Sequence, residues 1–218
     1  MTSGAPSSLR LADLAGVVLC GGESSRMGSP KAWLDFGGEP LLARVVRVVA
    51  QVTGEVVVVA APGQDLPPLP GGVRVVRDAV SGKGPLMGLA AGLEAVAPLP
   101  AFVSSTDAPF LHPALIRRLA GLRGEEHDIA VPRAFGHHHP LAAVYASATR
   151  AEIAALLAED RLRPFFLFER MRTLVAEPTL LLEDPALASA DPELWSLRNV
   201  NTPAEYREAL GDLPRAPR

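Results

Sequence analysis

Four consecutive valines, Val56 to Val59, follow Glu55 and lead into Ala60 and Ala61. A strand sends successive side chains to opposite faces, so a run with almost no polar alternation belongs to a strand covered on both sides. That requires apolar elements above and below one sheet. The rest of the chain supplies them. Gly16–Leu19, Val73–Val76 and Ala101–Ser104 read as further short strands. Between them, Leu41–Gln51 carries an apolar helical face with Arg44 and Arg47 off it, and helices are expected near Leu86–Val96 and Pro113–Leu122. Strands at Ile129–Pro132 and Leu141–Tyr145, with helices near 147–158 and 203–210, complete the set. Alternating strands and helices predict an α/β fold with a mostly parallel sheet and helices on both faces. No repeat or change of composition divides the chain. The expectation is one domain over residues 14–210, after a loose leader of residues 1–13 and before a tail of residues 211–218.

Composition excludes several classes. The 218 residues are enough for a sizeable core, with 48% hydrophobic and 21% charged residues. A net charge of −3 makes no global case for nucleic acid or an anionic membrane, so any anion site must be local. The single cysteine, Cys20, excludes an internal disulfide framework and reads as a small buried residue. The first ten residues are polar and no apolar run is long enough to span a bilayer, so the expected address is cytoplasmic. Among 21 basic residues only Lys31 and Lys83 are lysines, and both lie in glycine-containing loops. Such positions suit a compact ammonium rather than a planar guanidinium.

In open α/β sheets ligands sit beyond the carboxyl ends of the strands, and three of these ends carry unusual residues. The first strand enters LCGGESSRMGSPK, residues 19–31. Gly21, Gly22 and Gly28 can turn peptide N–H groups toward an anion, and Arg26 and Lys31 add charge. This suits a di- or triphosphate. The two commonest glycine-loop motifs fail on spacing: Gly82-Lys83 is followed by Gly84 rather than a hydroxyl, and no GxGxxG occurs. The third strand ends in Arg77-Asp78, where the carboxylate could meet a ribose or a metal, or close a turn. The fourth ends in Thr106-Asp107, a suitable carboxylate for magnesium, which favours one or two carboxylates plus substrate phosphates. His137-His138-His139 alternates faces if extended and is expected in a strand-edge loop rather than on one metal ion.

These motifs resemble a known family. LCGGESSRMGSPK is similar to the (A/C)GG-x-S-x-RMG-x-x-K signature of nucleotidyltransferases that move NMP from an NTP to a phosphate acceptor. Gly84-Pro85-Leu86-Met87-Gly88, Ser105-Thr106-Asp107-Ala108-Pro109, His139-Pro140-Leu141 and Asn199-Val200-Asn201-Thr202-Pro203 follow in the family's order. Over about residues 14–210 the chain most resembles the molybdenum cofactor guanylyltransferases. The resemblance implies a three-layer α/β/α sandwich of the glycosyltransferase-A-like kind. It also implies transfer of GMP from GTP to molybdenum-bound molybdopterin with Mg2+, in molybdenum cofactor biosynthesis. By the same resemblance Leu19, Cys20, Gly21 and Gly22 meet the guanine end, and Arg26 and Lys31 hold the triphosphate. Asp78 and Gly84 would bind the nucleotide, and Asp107 the nucleotide and the metal. His139, Asn199 and Asn201 would lie toward the acceptor. Implied partners are GTP, molybdopterin and, transiently, proteins that deliver or receive the cofactor. Related cytidylyltransferases tend to read AAG where this chain reads CGG, which favours the larger guanine. A cytidylyl- or sugar-phosphate nucleotidyltransferase and a non-catalytic nucleotide-binding regulator are the competing expectations.

Overall fold

The computed structural model describes residues 11–20, 30–77 and 84–216. Strands β1 (Leu11–Leu19), β2 (Thr53–Ala60), β3 (Arg74–Arg77) and β4 (Ala101–Ser105) run parallel in the order β3-β2-β1-β4. The sheet continues through β7 (Ala142–Tyr145), antiparallel to β4, to β5 (Ile129–Ala134). A further strand, β8 (Thr173–Ala176), lies parallel to β5, so β7 runs against both of its neighbours, β4 and β5. The mixed α/β architecture matches the expectation, with a central sheet between two helical layers.

The valine run explains the layers. Val56 and Val58 join one core with β1 residues Leu14 and Val18, under α1 (Leu41–Ala50) and α3 (Pro113–Arg123). Val57 and Val59 join the opposite core with Ala15, Val17 and Leu19, under α2 (Pro85–Ala95) and α4 (Thr149–Ala158). On the α2 side the approach is close. A Cβ on Gly92 would lie 2.4 Å from Val17 Cγ1 and 3.2 Å from Val59 Cγ2, so glycine is what lets the helix sit at this depth.

Three details differ from the sequence reading. β1 begins at Leu11, inside the stretch expected to be a loose leader, and Leu11 pairs with Thr53 of β2. Toward the other end, α5 (Pro203–Asp212) passes into a 3-10 turn at Leu213–Arg215, and Leu213 packs on a small third core. The histidine run is a strand rather than a loop. Phe135 and Gly136, with φ of 52° and 83°, form a two-residue reversal, and β6 (His137–His138) folds back on Arg133 and Ala134. Its side chains do alternate. The His137 ring lies 4.3 Å from His139, while His138 faces Phe165 and Phe168.

His139 is 5% exposed and its Nε2 lies 3.1 Å from the Ala134 carbonyl oxygen. A carbonyl only accepts, so Nε2 carries the proton of the neutral ring. Burial lowers the His139 pKa from 6.5 to about 4, against the opposing pull of that hydrogen bond.

Three variants test this packing and the burial of His139. Gly92→Ala gains about 1 kcal/mol of helix propensity but forces a methyl into Val17, for a net loss of roughly 1–2 kcal/mol. Gly121→Ala in α3, where a Cβ meets open space, stabilises by up to about 1 kcal/mol; thermal melts of the two variants should move in opposite directions. Between pH 4 and 6.5 the unfolded chain binds a proton at His139 that the folded chain does not, so stability falls as pH drops through that window. The contribution reaches about 3 kcal/mol by pH 4, and His139→Gln should flatten the pH dependence of denaturant unfolding by a comparable amount.

Candidate functional site

The strand order turns at β1 and β4: β1 leads through α1 to β2 on one side, while its other neighbour is β4. Ligands of open α/β sheets occupy this kind of switch point. Leu19 pairs with Ser105, and both the amide and the hydroxyl of Thr106 donate to the Leu19 carbonyl, at 3.1 and 3.2 Å. The two strand ends are therefore locked side by side, with Cys20 and Asp107 just beyond them.

Lys31 enters from a separate element, the 3-10 turn Lys31–Trp33 that follows Pro30. Its ammonium donates to Asn201 Oδ1 at 3.0 Å and lies 3.5 Å from Asp107 Oδ2. The other Asp107 oxygen accepts from the Ser105 hydroxyl, and the Asp107 carbonyl accepts from Val200 N–H at 2.8 Å. Asn201 is braced by the start of α5. Thr202 and Glu205 form a capping box, and Glu205 Oε2 also accepts from the Asn201 amide at 2.6 Å. Three expected site residues, from positions 31, 107 and 201, thus meet as one cluster.

The remaining candidates are placed differently. Gly84 is the N-cap of α2 with φ 78°, a conformation that favours glycine. Asn199 is exposed beside the buried Val200. His139 reaches the same sheet edge two strands over: its carbonyl accepts from Ala142, which pairs with Ser104 of β4. Its ring is engaged with the hairpin rather than with Lys31 or Asp107. Gly21, Gly22, Gly28, Arg26, Asp78 and Lys83 lie outside the described residues. Cys20 is buried, and burial pushes its thiol pKa up, so it stays neutral and serves as packing.

Sequence reasoning missed Ser105, Glu205 and Gln64. Glu205 was legible, because Thr202-x-x-Glu205 beside a proline at the first helical position is a capping-box pattern. Ser105 stood in the quoted motif with Asp107, but nothing local showed that its hydroxyl holds that carboxylate. Gln64 sits in a proline- and glycine-rich connector, yet its Nε2 donates to the Cys20 carbonyl at 3.1 Å and its Oε1 accepts from Ala61 N–H at 3.0 Å.

The donor set bears on metal binding. Among the described residues, no group of three or more His, Cys, Asp or Glu side chains could hold an ion. Asp107 offers one carboxylate whose two oxygens have about four acceptor positions, of which Ser105 and Lys31 take two. That fits an ion completed by substrate phosphates. No helix among the described residues is long and apolar enough to cross a membrane.

Comparison with known proteins agrees with this architecture. The family model described as MobA-like NTP transferase domain matches residues 16–174. A probable molybdenum cofactor guanylyltransferase of Mycobacterium avium is 38% identical over 199 residues, 89% of this chain and 93% of that protein. One from Pelotomaculum thermopropionicum is 35% identical over 194 residues, covering 89% and 90%. The crystal structure of molybdopterin-guanine dinucleotide biosynthesis protein A from Archaeoglobus fulgidus has a TM-score of 0.74, covering 92% of this chain and 99% of that one. At 21% identity it speaks for the fold alone. Nucleotidyltransferases of this kind generally use a divalent metal and small-molecule substrates. With a family model spanning most of the sheet and two relatives matched over nearly their whole length, the chain belongs to the MobA-like NTP transferase domain family and is a nucleotidyltransferase.

Proposed function

We propose that this chain transfers GMP from GTP to molybdenum-bound molybdopterin, forming the guanine dinucleotide cofactor and pyrophosphate in the cytoplasm. The observation that carries the reading is the cluster of Lys31, Asp107 and Asn201 at the switch point of a fold whose relatives are named as guanylyltransferases. In the reaction, an oxygen of the acceptor's terminal phosphate attacks the α-phosphorus of GTP. A new P–O bond forms, the bond between the α-phosphorus and its bridging oxygen breaks, and pyrophosphate leaves with the electron pair. A phosphate monoester is already anionic, so the chemistry needs no general base. Positioning and charge neutralisation carry the rate.

Each residue then has a task. Cys20 presents its carbonyl, one of whose two acceptor positions is taken by Gln64, to the base; Leu19, Gly21 and Gly22 lie at the same end of the nucleotide, as the resemblance suggests. Lys31 and Arg26 hold the phosphates, with Asp78 and Gly84 on the nucleotide. Asp107 would hold Mg2+, whose contribution when bound is to neutralise charge on the α-phosphate and the leaving group. Ser105 and Lys31 keep the Asp107 carboxylate in one orientation, so it meets an incoming nucleotide already aligned. Asn199 and Asn201 face the acceptor, with His139 acting through the hairpin it braces. The reading includes transient docking with proteins that deliver or receive the cofactor.

Pyrophosphate release measured with each NTP, with and without molybdopterin, tests the reaction. Release is expected with GTP and only with molybdopterin present; release only with CTP, or only with a sugar phosphate, would overturn it. Asp107→Ala should lower kcat by at least about 10²-fold at unchanged thermal stability. Lys31→Ala should raise the KM for GTP and lower kcat together, and an unaltered Lys31 variant would remove that residue from the phosphate site.

A further inference from the structure

The connector between β2 and β3 makes three separate attachments over residues 61–65. The Gln64 amide bridges two strand ends: Nε2 donates to the Cys20 carbonyl at 3.1 Å and lies 3.4 Å from its Sγ, while Oε1 accepts from Ala61 N–H. From the end of β3, Arg77 Nη1 donates to the carbonyls of Ala61 and Gln64, at 3.1 and 2.7 Å. From the 3-10 turn that carries Lys31, the Trp33 indole N–H donates to the Asp65 carbonyl at 3.3 Å. The connector therefore touches both the last residue of the β1 end and the turn that presents Lys31.

We propose that Gln64 is a positioning residue for nucleotide selection, fixing the Cys20 peptide carbonyl at the end of β1. This rests on the reading that the Cys20 carbonyl, with its second acceptor position, meets the base. The Cys20 amide already donates to Val59 O at 2.7 Å. Once its carbonyl accepts from Gln64, the peptides on both sides of Cys20 are set before the nucleotide arrives. Pre-set backbone groups discriminate between base edges better than mobile ones, because ordering them does not cost binding energy. The connector is a suitable frame, since Arg77 holds the carbonyl of Gln64 itself and Ala61 ties its side chain. A primary amide is required for both tasks, because it donates to one partner and accepts from another in a single plane.

The test uses the full chain and two variants of similar size. Gln64→Met keeps the bulk but neither donates nor accepts; Gln64→Glu keeps the acceptor toward Ala61 but cannot donate to Cys20 when ionised. Equilibrium binding of all four NTPs with Mg2+ is measured by calorimetry, alongside kcat and KM in the pyrophosphate assay. Both variants are expected to bind the wild type's preferred NTP about five- to tenfold more weakly, the cost of ordering one peptide on binding. Preference over the other three NTPs should fall in parallel, with kcat within about twofold of wild type. Loss of thermal stability without a change in NTP preference would overturn the proposal, as would a fall in kcat at unchanged KM. If one variant does not fold, the other decides. Should the wild type prefer CTP, the guanylyl reading fails, but the same ratios for CTP still decide the role of Gln64.

Discussion

Phe36 and Phe110 meet edge to face with 5.5 Å between ring centroids, and the position of the site depends on that contact. Around the pair gather Leu41, Val200 and Ala209, with Trp195, Tyr206 and Leu213 packed against them. These residues come from three remote stretches: the one after Lys31, the one after Asp107, and the one flanking Asn201. The Tyr206 hydroxyl donates to the Asp35 carbonyl, and Arg44 donates to the Pro109 carbonyl at 2.7 Å, so backbone as well as side chain is tied in. Magnitudes say which interaction leads. A partly exposed ion pair such as Lys31–Asp107 contributes at most about 1 kcal/mol. Each large apolar side chain buried in this cluster contributes roughly 1.5–3 kcal/mol, with more from aromatic geometry. Apolar packing sets the positions. The charges are thereby left to change partners when a nucleotide arrives.

That division explains what could be read from the chain alone. The parallel half was legible because its strands are covered on both faces, and Val56–Val59 bury alternately into the two cores. Lys31 and Asp107 were legible because glycine loops and strand ends are where an α/β sheet exposes backbone. β8 was not, since Thr173–Val175 are only half buried and Thr-Leu-Val-Ala is too short to show a period. The histidine run was misread for a related reason. Pairing at β6 depends on positive φ at both Phe135 and Gly136, and phenylalanine is not a residue that announces such a turn. Gln64 shows the limit most plainly. Its importance comes from proximity to Cys20, 44 positions away, which no local pattern encodes.

The use of arginine and lysine follows the same logic. Arginines act as braces. Arg172 spans both oxygens of Asp128, Arg170 joins Glu152 to Glu159, and Arg77 gathers two carbonyls. Arg172 and Arg170 exploit a planar fork that holds acceptors in fixed relation, and Arg77 reaches both of its carbonyls from one terminal nitrogen. Lys31, the one lysine among the described residues, sits at the site between a carboxylate and an amide oxygen. A compact ammonium on a flexible stem can move toward a phosphate without dismantling a bidentate pair. A chain that pairs charges with arginine nearly everywhere else uses lysine where the partner must change.

The reversal at β7 adds the last constraint. Because β4 and β5 run together while β7 runs against them, one edge of the sheet collects the ends of the parallel strands and the beginning of β7. Asp107 leaves that edge from β4, and His139-Pro140 approach it ahead of β7. The hairpin of β5 and β6 brings His139 there as a buried neutral ring, so its contribution is shape rather than charge. On the proposed reading the nucleotide takes the parallel side, where backbone and Lys31 serve it, and the acceptor takes the side that β7 opens. In-line transfer needs attacking and leaving oxygens on opposite sides of one phosphorus. A uniformly parallel sheet offers one set of strand ends to both substrates; the reversed strand beside β4 separates them while keeping Asp107 between the two.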